Sequence, residues 1–213
     1  PRRIIRAGRR GGKTTGLAIL AVPRFVDGTR VLYAAPTIDQ VDRFWFEVSS
    51  ALAPAVAAGV YLRNESRHFI EKAGTEQRIR AVTAWNADTL RGDYADLLIL
   101  DEWQLMDEEA WELVGAPMLL DRKGRVVFAY TPPSLRSRSA SKARDVRHAA
   151  KMYAAAAADA SGRWAAFHFT SHENPHLAAG ALDEIALDMS ATAYRQEIGA
   201  EDLEEAPGAL WTR

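Results

Sequence analysis

The chain has 213 residues, 48% hydrophobic and 26% charged, with a formal net charge of −1 and no cysteine. This is ordinary soluble usage, with enough length to bury a full core as one domain or as one domain plus a small appendage. It excludes disulfides, thiolate metal sites and a global basic field, and no apolar run approaches the roughly 18 residues of a membrane span or resembles a signal leader.

Ile4-Ile5 and their neighbours predict a short strand entering the glycine-rich turn Ala7-Gly8-Arg9-Arg10-Gly11-Gly12. Lys13 to Phe25 follows as a helix, apolar at Leu17, Ile19, Leu20 and Val22, with Pro23 near its end. Arg30 to Ala35 reads as a buried strand stopped by Pro36, and Thr37 caps a helix carrying Val41, Phe44, Trp45 and Val48. Val60 to Arg63, His68 to Glu71 and Arg78 to Val82 are short strands, the last two joined as a hairpin through Lys72-Ala73-Gly74-Thr75.

Leu97 to Leu100 is a continuous apolar run, as in a strand buried on both faces of a parallel sheet. Arg125 to Tyr130 is another, ended by Thr131-Pro132-Pro133. The basic, alanine-rich stretch from Ser137 to Ala158 predicts one long helix. Trp164 to Phe169 is a last strand, followed by helices over Ala178–Asp188 and Ala191–Ile198 and an acidic linker from Glu201. Alternating strands and helices give an α/β class with a mainly parallel central sheet flanked by helices.

A strand, a glycine-rich turn, Gly12-Lys13-Thr14 and a helix stand in the order a phosphate-binding loop requires. Glycines let backbone N–H groups turn toward phosphates, and the helix start adds its dipole. Gly8, Arg9, Arg10, Gly11, Gly12, Lys13, Thr14 and Thr15 form the candidate nucleotide set. Lys13 supplies a mobile charge for the terminal phosphates and the Thr14 hydroxyl a ligand for Mg²⁺. Ala7 stands where the usual pattern begins with glycine.

Asp101-Glu102 ends the buried strand. A carboxylate there can hold Mg²⁺ beside the loop threonine, and the second can polarise the attacking water. Asp101 is therefore the metal candidate and Glu102 the catalytic one, while Glu108, Glu109 and Glu112 read as solvated helix residues. Arg91, in a loop ahead of this strand, either stabilises transition-state charge or anchors its loop at the surface; residue type alone favours the anchor. Thr131 either reports on the γ-phosphate or is simply a strand-end threonine before Pro132-Pro133; residue type alone favours the latter.

Together these segments resemble the ATPase domain of the large terminase subunit, the DNA-packaging motor of tailed bacteriophages. The resemblance rests on Ala7-Gly8-Arg9-Arg10-Gly11-Gly12-Lys13-Thr14, Tyr33-Ala34-Ala35-Pro36-Thr37 with Gln40, and Leu90-Arg91-Gly92 followed by Leu98-Ile99-Leu100-Asp101-Glu102. Ala129-Tyr130-Thr131-Pro132-Pro133, Glu173-Asn174-Pro175-His176-Leu177 and Tyr194-Arg195-Gln196-Glu197-Ile198 extend it over nearly the whole chain.

It implies a P-loop NTPase of the ASCE, RecA-like type with a small C-terminal lid-like helical region. The ATPase domain would span 1–200, with a core to about 135 and lid-like and closing elements over 136–200. Residues 201–213 would be an acidic linker toward a nuclease domain that is not here, so no DNA cleavage is expected of this chain. An adenine-contacting segment is usual before the first strand, and little of it fits ahead of Ile4.

The family further implies ATP and Mg²⁺, Arg9 near the γ-phosphate, Arg91 as a finger acting on the adjacent subunit, Glu102 as the catalytic carboxylate and Thr131 as the coupling residue. Implied partners are double-stranded DNA, a portal protein and a small terminase subunit, in a homo-oligomeric ring at the prohead in the host cytoplasm, away from membranes. The isolated domain would be a monomer. Arg144, Arg147 and Lys151, spaced by three and four with Arg136, Arg138 and Lys142 nearby, are the candidate DNA track or else a solvated face. Two other readings stay open: a helicase-like P-loop translocase, and a non-catalytic nucleotide-binding interaction domain.

Overall fold

The computed structural model describes residues 2–84, 94–120, 122–133, 141–178 and 180–203. The strands are β1 (Arg2–Ala7), β2 (Val31–Ala35), β3 (Leu62–Asn64), β4 (Phe69–Glu71), β5 (Arg78–Thr83), β6 (Leu97–Leu100), β7 (Arg125–Tyr130) and β8 (Trp164–Phe169). The α-helices are α1 (Lys13–Val26), α2 (Ile38–Ala57), α3 (Ala116–Met118), α4 (His148–Ala157), α5 (Ala181–Asp188) and α6 (Ala191–Glu197).

The described strands form one sheet in the order β3-β4-β5-β2-β6-β7-β1-β8. From β5 to β8 every pairing is parallel, while β3 and β4 add antiparallel at one edge. The β4–β5 hairpin is the one read from the sequence. Because β8 pairs with β1 throughout its length, the central sheet draws on chain from both sides of residue 135.

Side chains alternate across the sheet, so each buried strand feeds two cores. Ile4, Leu98, Leu100, Val126 and Phe128 face Trp103, Trp111, Met118 and Ala149 on one side. Tyr33, Leu97, Ile99, Val127 and Ala129 face Leu17, Phe25, Phe44 and Val48 of α1 and α2 on the other. This double burial explains why β2 and β6 lack exposed positions and read as unbroken apolar runs. α2 opens with the Thr37 N–H donating to Gln40 Oε1 at 3.1 Å, which satisfies a donor the helix cannot.

The long helix expected over 137–158 is corrected: among the described residues of that stretch, which begin at Ser141, helix starts only at His148. Side-chain acceptors take the backbone donors that an earlier helix would need. Glu108 accepts from the N–H groups of Arg144 and Asp145, Asp145 Oδ1 from that of Arg147, and Ser141 Oγ from that of Ala143. Arg144 and Arg147 therefore precede the helix that carries Lys151, and the three do not form one helical stripe. The helix expected to hold Glu108, Glu109 and Glu112 is a π-helical turn over Ala110–Gly115, and Glu108 is a structural acceptor rather than a solvated residue. Among the described residues, no helix is long and apolar enough to cross a membrane.

Candidate nucleotide site

The sheet order places β7 between β1 and β6. Three carboxyl ends thus lie side by side: β1 running into the glycine-rich loop, β7 ending at Thr131, and β6 ending at Asp101-Glu102. This crevice is where open α/β sheets bind ligands.

The loop is built to leave its inner side free. Gly12, ahead of α1, has φ of +80°, and a Cβ there would meet nothing within 4 Å, so the backbone is open to an approaching group. No side chain caps α1 and no acidic residue stands in its first turn, so its free N–H groups face no built-in anion.

The loop's outer side is held by chain far away in sequence. Ser171 Oγ donates to the Arg9 carbonyl and Asn174 Nδ2 to the Arg10 carbonyl, each at 2.5 Å. The Gly8 N–H donates to Phe169 O at 3.0 Å, and the Arg9 N–H to Glu197 O at 2.6 Å. At Gly8 a Cβ would lie 2.5 Å from both Ile198 O and Ser171 Oγ, so only glycine permits this closeness. With the Arg9 and Arg10 carbonyls and the Gly8 and Arg9 N–H groups all tied to distant chain, the path of the loop is fixed before any ligand arrives.

Lys13 reaches across to both neighbouring strands. Its Nζ donates to Thr131 Oγ1 at 2.5 Å and lies 3.4 Å from Glu102 Oε1, with a side chain only 9% exposed. The three predicted groups Lys13, Glu102 and Thr131 are therefore one cluster. Asp101 sits beneath them: Tyr33 OH donates to its Oδ2 at 2.8 Å and the Glu102 N–H to its Oδ1 at 2.9 Å.

Burial, and then the charge of Glu102, push the Asp101 carboxyl up to about 6 against the pull of Lys13 and Tyr33. Burial and the Asp101 charge raise Tyr33 well above its ordinary range, which keeps its hydroxyl a donor. A carboxylate and a threonine hydroxyl are both hard-oxygen donors of the kind that suits Mg²⁺, so by donor chemistry Asp101 and Thr14 fit that ion.

Glu102 itself has left-handed backbone, φ 52° and ψ 42°, a conformation that costs a non-glycine residue about 1–2 kcal/mol. Its Oε2 accepts from Gln104 Nε2 at 2.7 Å.

Other predicted residues fall elsewhere. The Arg9 guanidinium pairs with Glu197 at 2.7 Å and is 74% exposed. Thr15 Oγ1 donates to Glu47 Oε1 at 3.1 Å, committing that hydroxyl to α2. Arg144 pairs with Glu109, and Lys151 with Asp145 at 2.5 Å. Arg91, Arg136 and Arg138 lie outside the described residues. Sequence reasoning missed Tyr33, Gln104 and Ser171 as site residues, because nothing local marks a buried tyrosine, glutamine or serine as adjacent to a distant loop.

Residues 4–213 match the family of large terminase subunits, T4-like-virus type, N-terminal. No curated protein matches the chain. Among solved structures it is similar to the large terminase ATPase domain of Thermus phage P74-26, at 21% identity and TM-score 0.73, covering 95% of this chain and 88% of that one. The HK97 bacteriophage large terminase aligns at 13% identity and TM-score 0.70, covering 94% of this chain and 46% of that one. The large terminase of a thermophilic bacteriophage in complex with ATP-γ-S aligns at 18% identity and TM-score 0.63, covering 93% and 47%. The chain thus spans under half the length of these last two. The fold is the ASCE-type P-loop fold of phage terminase ATPase domains.

Proposed function

This chain belongs to the T4-like-virus-type large terminase family, whose N-terminal part it carries, and we propose that it is an ATP-hydrolysing motor domain that moves double-stranded DNA into a prohead. The observation that carries the reading is the convergence of Lys13, Glu102 and Thr131 at three adjacent strand ends. A decayed, purely structural nucleotide pocket has no need of a carboxylate held in left-handed backbone next to the phosphate lysine.

ATP enters with its β- and γ-phosphates against the N–H groups of the loop. Lys13 leaves Thr131 and Glu102 for the phosphates, and Glu102 orients the attacking water. The water oxygen bonds to the γ-phosphorus as the bond to the bridging oxygen breaks, that electron pair leaving with ADP and the proton passing to Glu102. Thr14 and Asp101 would hold Mg²⁺, which would supply charge neutralisation on the phosphates. Thr131, freed of Lys13 only when nucleotide is bound, reports occupancy to β7. Arg9 exchanges its Glu197 partner for the γ-phosphate, and Arg91 acts on the neighbouring subunit of a ring.

The proposed ATPase domain ends near residue 200, with lid-like and closing elements after about 135. DNA contact through Arg144, Arg147 and Lys151 requires Arg144 and Lys151 to leave Glu109 and Asp145 or to act with them. The portal, the small terminase subunit and a site of action at the prohead follow from the family reading.

The test is ATP turnover per subunit against protein concentration, with Lys13→Ala as blank. Specific activity rising with concentration and lost in Arg91→Ala supports sites completed between subunits. A flat, Lys13-dependent rate keeps the ATPase and removes the finger in trans. Absence of Lys13-dependent turnover together with absence of nucleotide binding overturns the reading.

A further inference from the structure

Building on the assignment of Glu102 as catalytic carboxylate, we infer that Gln104 is the positioning residue that fixes which oxygen of Glu102 faces the attacking water.

The two carboxylate oxygens have different partners. Oε1 faces Lys13 Nζ at 3.4 Å, whereas Oε2 accepts from Gln104 Nε2 at 2.7 Å. When Lys13 turns to the phosphates, Oε1 is released and Oε2 is not. The carboxylate then pivots about a fixed hydrogen bond, with Oε1 the free acceptor on the side of the γ-phosphate. Without Gln104 both oxygens would be loose at the moment the water must be aligned, and misorientation is expensive in rate.

Gln104 is suited to hold still. It is 6% exposed, on the turn Trp103–Leu105. Its own carbonyl accepts from Ser141 Oγ at 3.3 Å and that of Leu105 from the Lys142 N–H at 3.0 Å. Trp103 anchors the turn from below, edge-on to Phe128 at 5.1 Å between ring centroids. The amide has only one tolerable orientation, because a flip would set Oε1 of Gln104 against the Glu102 carboxylate.

That orientation leaves Gln104 Oε1 buried and without a hydrogen-bond partner among the described residues. Stability alone would favour an apolar residue of the same length, which strands no polar atom. The glutamine is thus better explained by what its donor does for Glu102 than by what it contributes to packing.

The experiment compares wild type, Gln104→Leu, Glu102→Gln and the double variant in the full chain. Gln104→Leu melts no lower than wild type and binds Mg-ADP within about twofold, yet its kcat falls about 10- to 100-fold with little change in KM, the loss expected when a charge-assisted orienting bond is removed. The additional thermal stabilisation that aluminium fluoride gives over Mg-ADP alone is lost with it, a readout that needs no turnover. The double variant is no slower than Glu102→Gln, since Gln104 acts through that carboxylate.

Gln104→Leu with wild-type kcat and an intact aluminium fluoride shift overturns the inference while leaving Glu102 in place. Additive losses in the double variant also overturn it. If Glu102→Gln itself turns over like wild type, the catalytic assignment fails instead. Should Gln104→Leu not fold, Gln104→Met, which keeps the length but removes the donor, must show the same kcat loss for the inference to stand.

Discussion

Asp202 joins the end of the described chain to two of the three strands that bear the site, β1 and β7, and its removal should be felt as stability. Its Oδ2 accepts from Arg6 Nη1 at 3.0 Å and from Tyr130 OH at 2.6 Å, with the two charged side chains 18% and 14% exposed. Burial, followed by the Asp202 charge, raises the Tyr130 hydroxyl above its ordinary range, so it remains a donor at any working pH. Replacing Asp202 by alanine removes two bonds to a charged acceptor, each worth about 1.5–3 kcal/mol, and leaves a mostly buried guanidinium. Arg6 keeps its stacking over Tyr153, 4.3 Å from the ring centroid, and some access to water, so the losses do not sum in full. The net cost is about 2–4 kcal/mol, which for a chain of this size lowers Tm by about 5–12 °C. Thermal melting and urea unfolding at pH 7 measure it, with an unchanged urea slope showing that the same surface still unfolds. Asp202→Asn, which keeps an acceptor without the charge, should lose roughly half as much. A Tm for Asp202→Ala within about 1 °C of wild type would refute the reasoning, since it would mean the network contributes nothing beyond what water restores.

Gly8→Ala should destabilise by about 1–3 kcal/mol, because the new methyl meets a backbone carbonyl that cannot swing aside; thermal melting checks this, and an unshifted Tm refutes it. His148, packed on Trp103 at 4.9 Å, is held below its ordinary pKa by burial, against the raising effects of Glu108 and Asp145. Its contribution is complete above the unfolded value of about 6.5 and is lost as pH falls through the lower folded value, so the Tm gap between wild type and His148→Leu should narrow or reverse from pH 7.5 to pH 5. Burial pulls the Glu108 carboxyl upward, but the N–H donors of Asp145, Arg144 and its own backbone outweigh it and hold it low. Glu108→Ala should therefore speed hydrogen exchange at the Arg144 and Asp145 amides more than elsewhere, as measured by exchange mass spectrometry.

Much of the fold was legible because its strands are buried on both faces, and such strands carry their signature within a few residues. Leu97 to Leu100 and Arg125 to Tyr130 needed no tertiary context. The stretch before His148 misled because its alanines and basic residues have helix propensity, while the carboxylate that competes for its backbone, Glu108, is remote in sequence. Remoteness also hid the partner of Arg144, Glu109, while Lys151 pairs with Asp145, which is near in sequence but off the helix and so off the periodicity.

The candidate site divides along the same line. Local sequence determined the glycine-rich loop with Lys13 and Thr14, and the acidic pair at the end of an apolar strand, because their chemistry depends on neighbours along the chain. Only the tertiary structure decided that β7 lies between those two strands, which brings Thr131 to Lys13. It alone supplied Gln104 as partner of Glu102, and Ser171, Asn174 and Glu197 as the outer support of the loop. Strand order and hydrogen bonds between distant segments are set by how two cores close on one sheet, and that packing leaves no periodic trace in the residues that make the contacts.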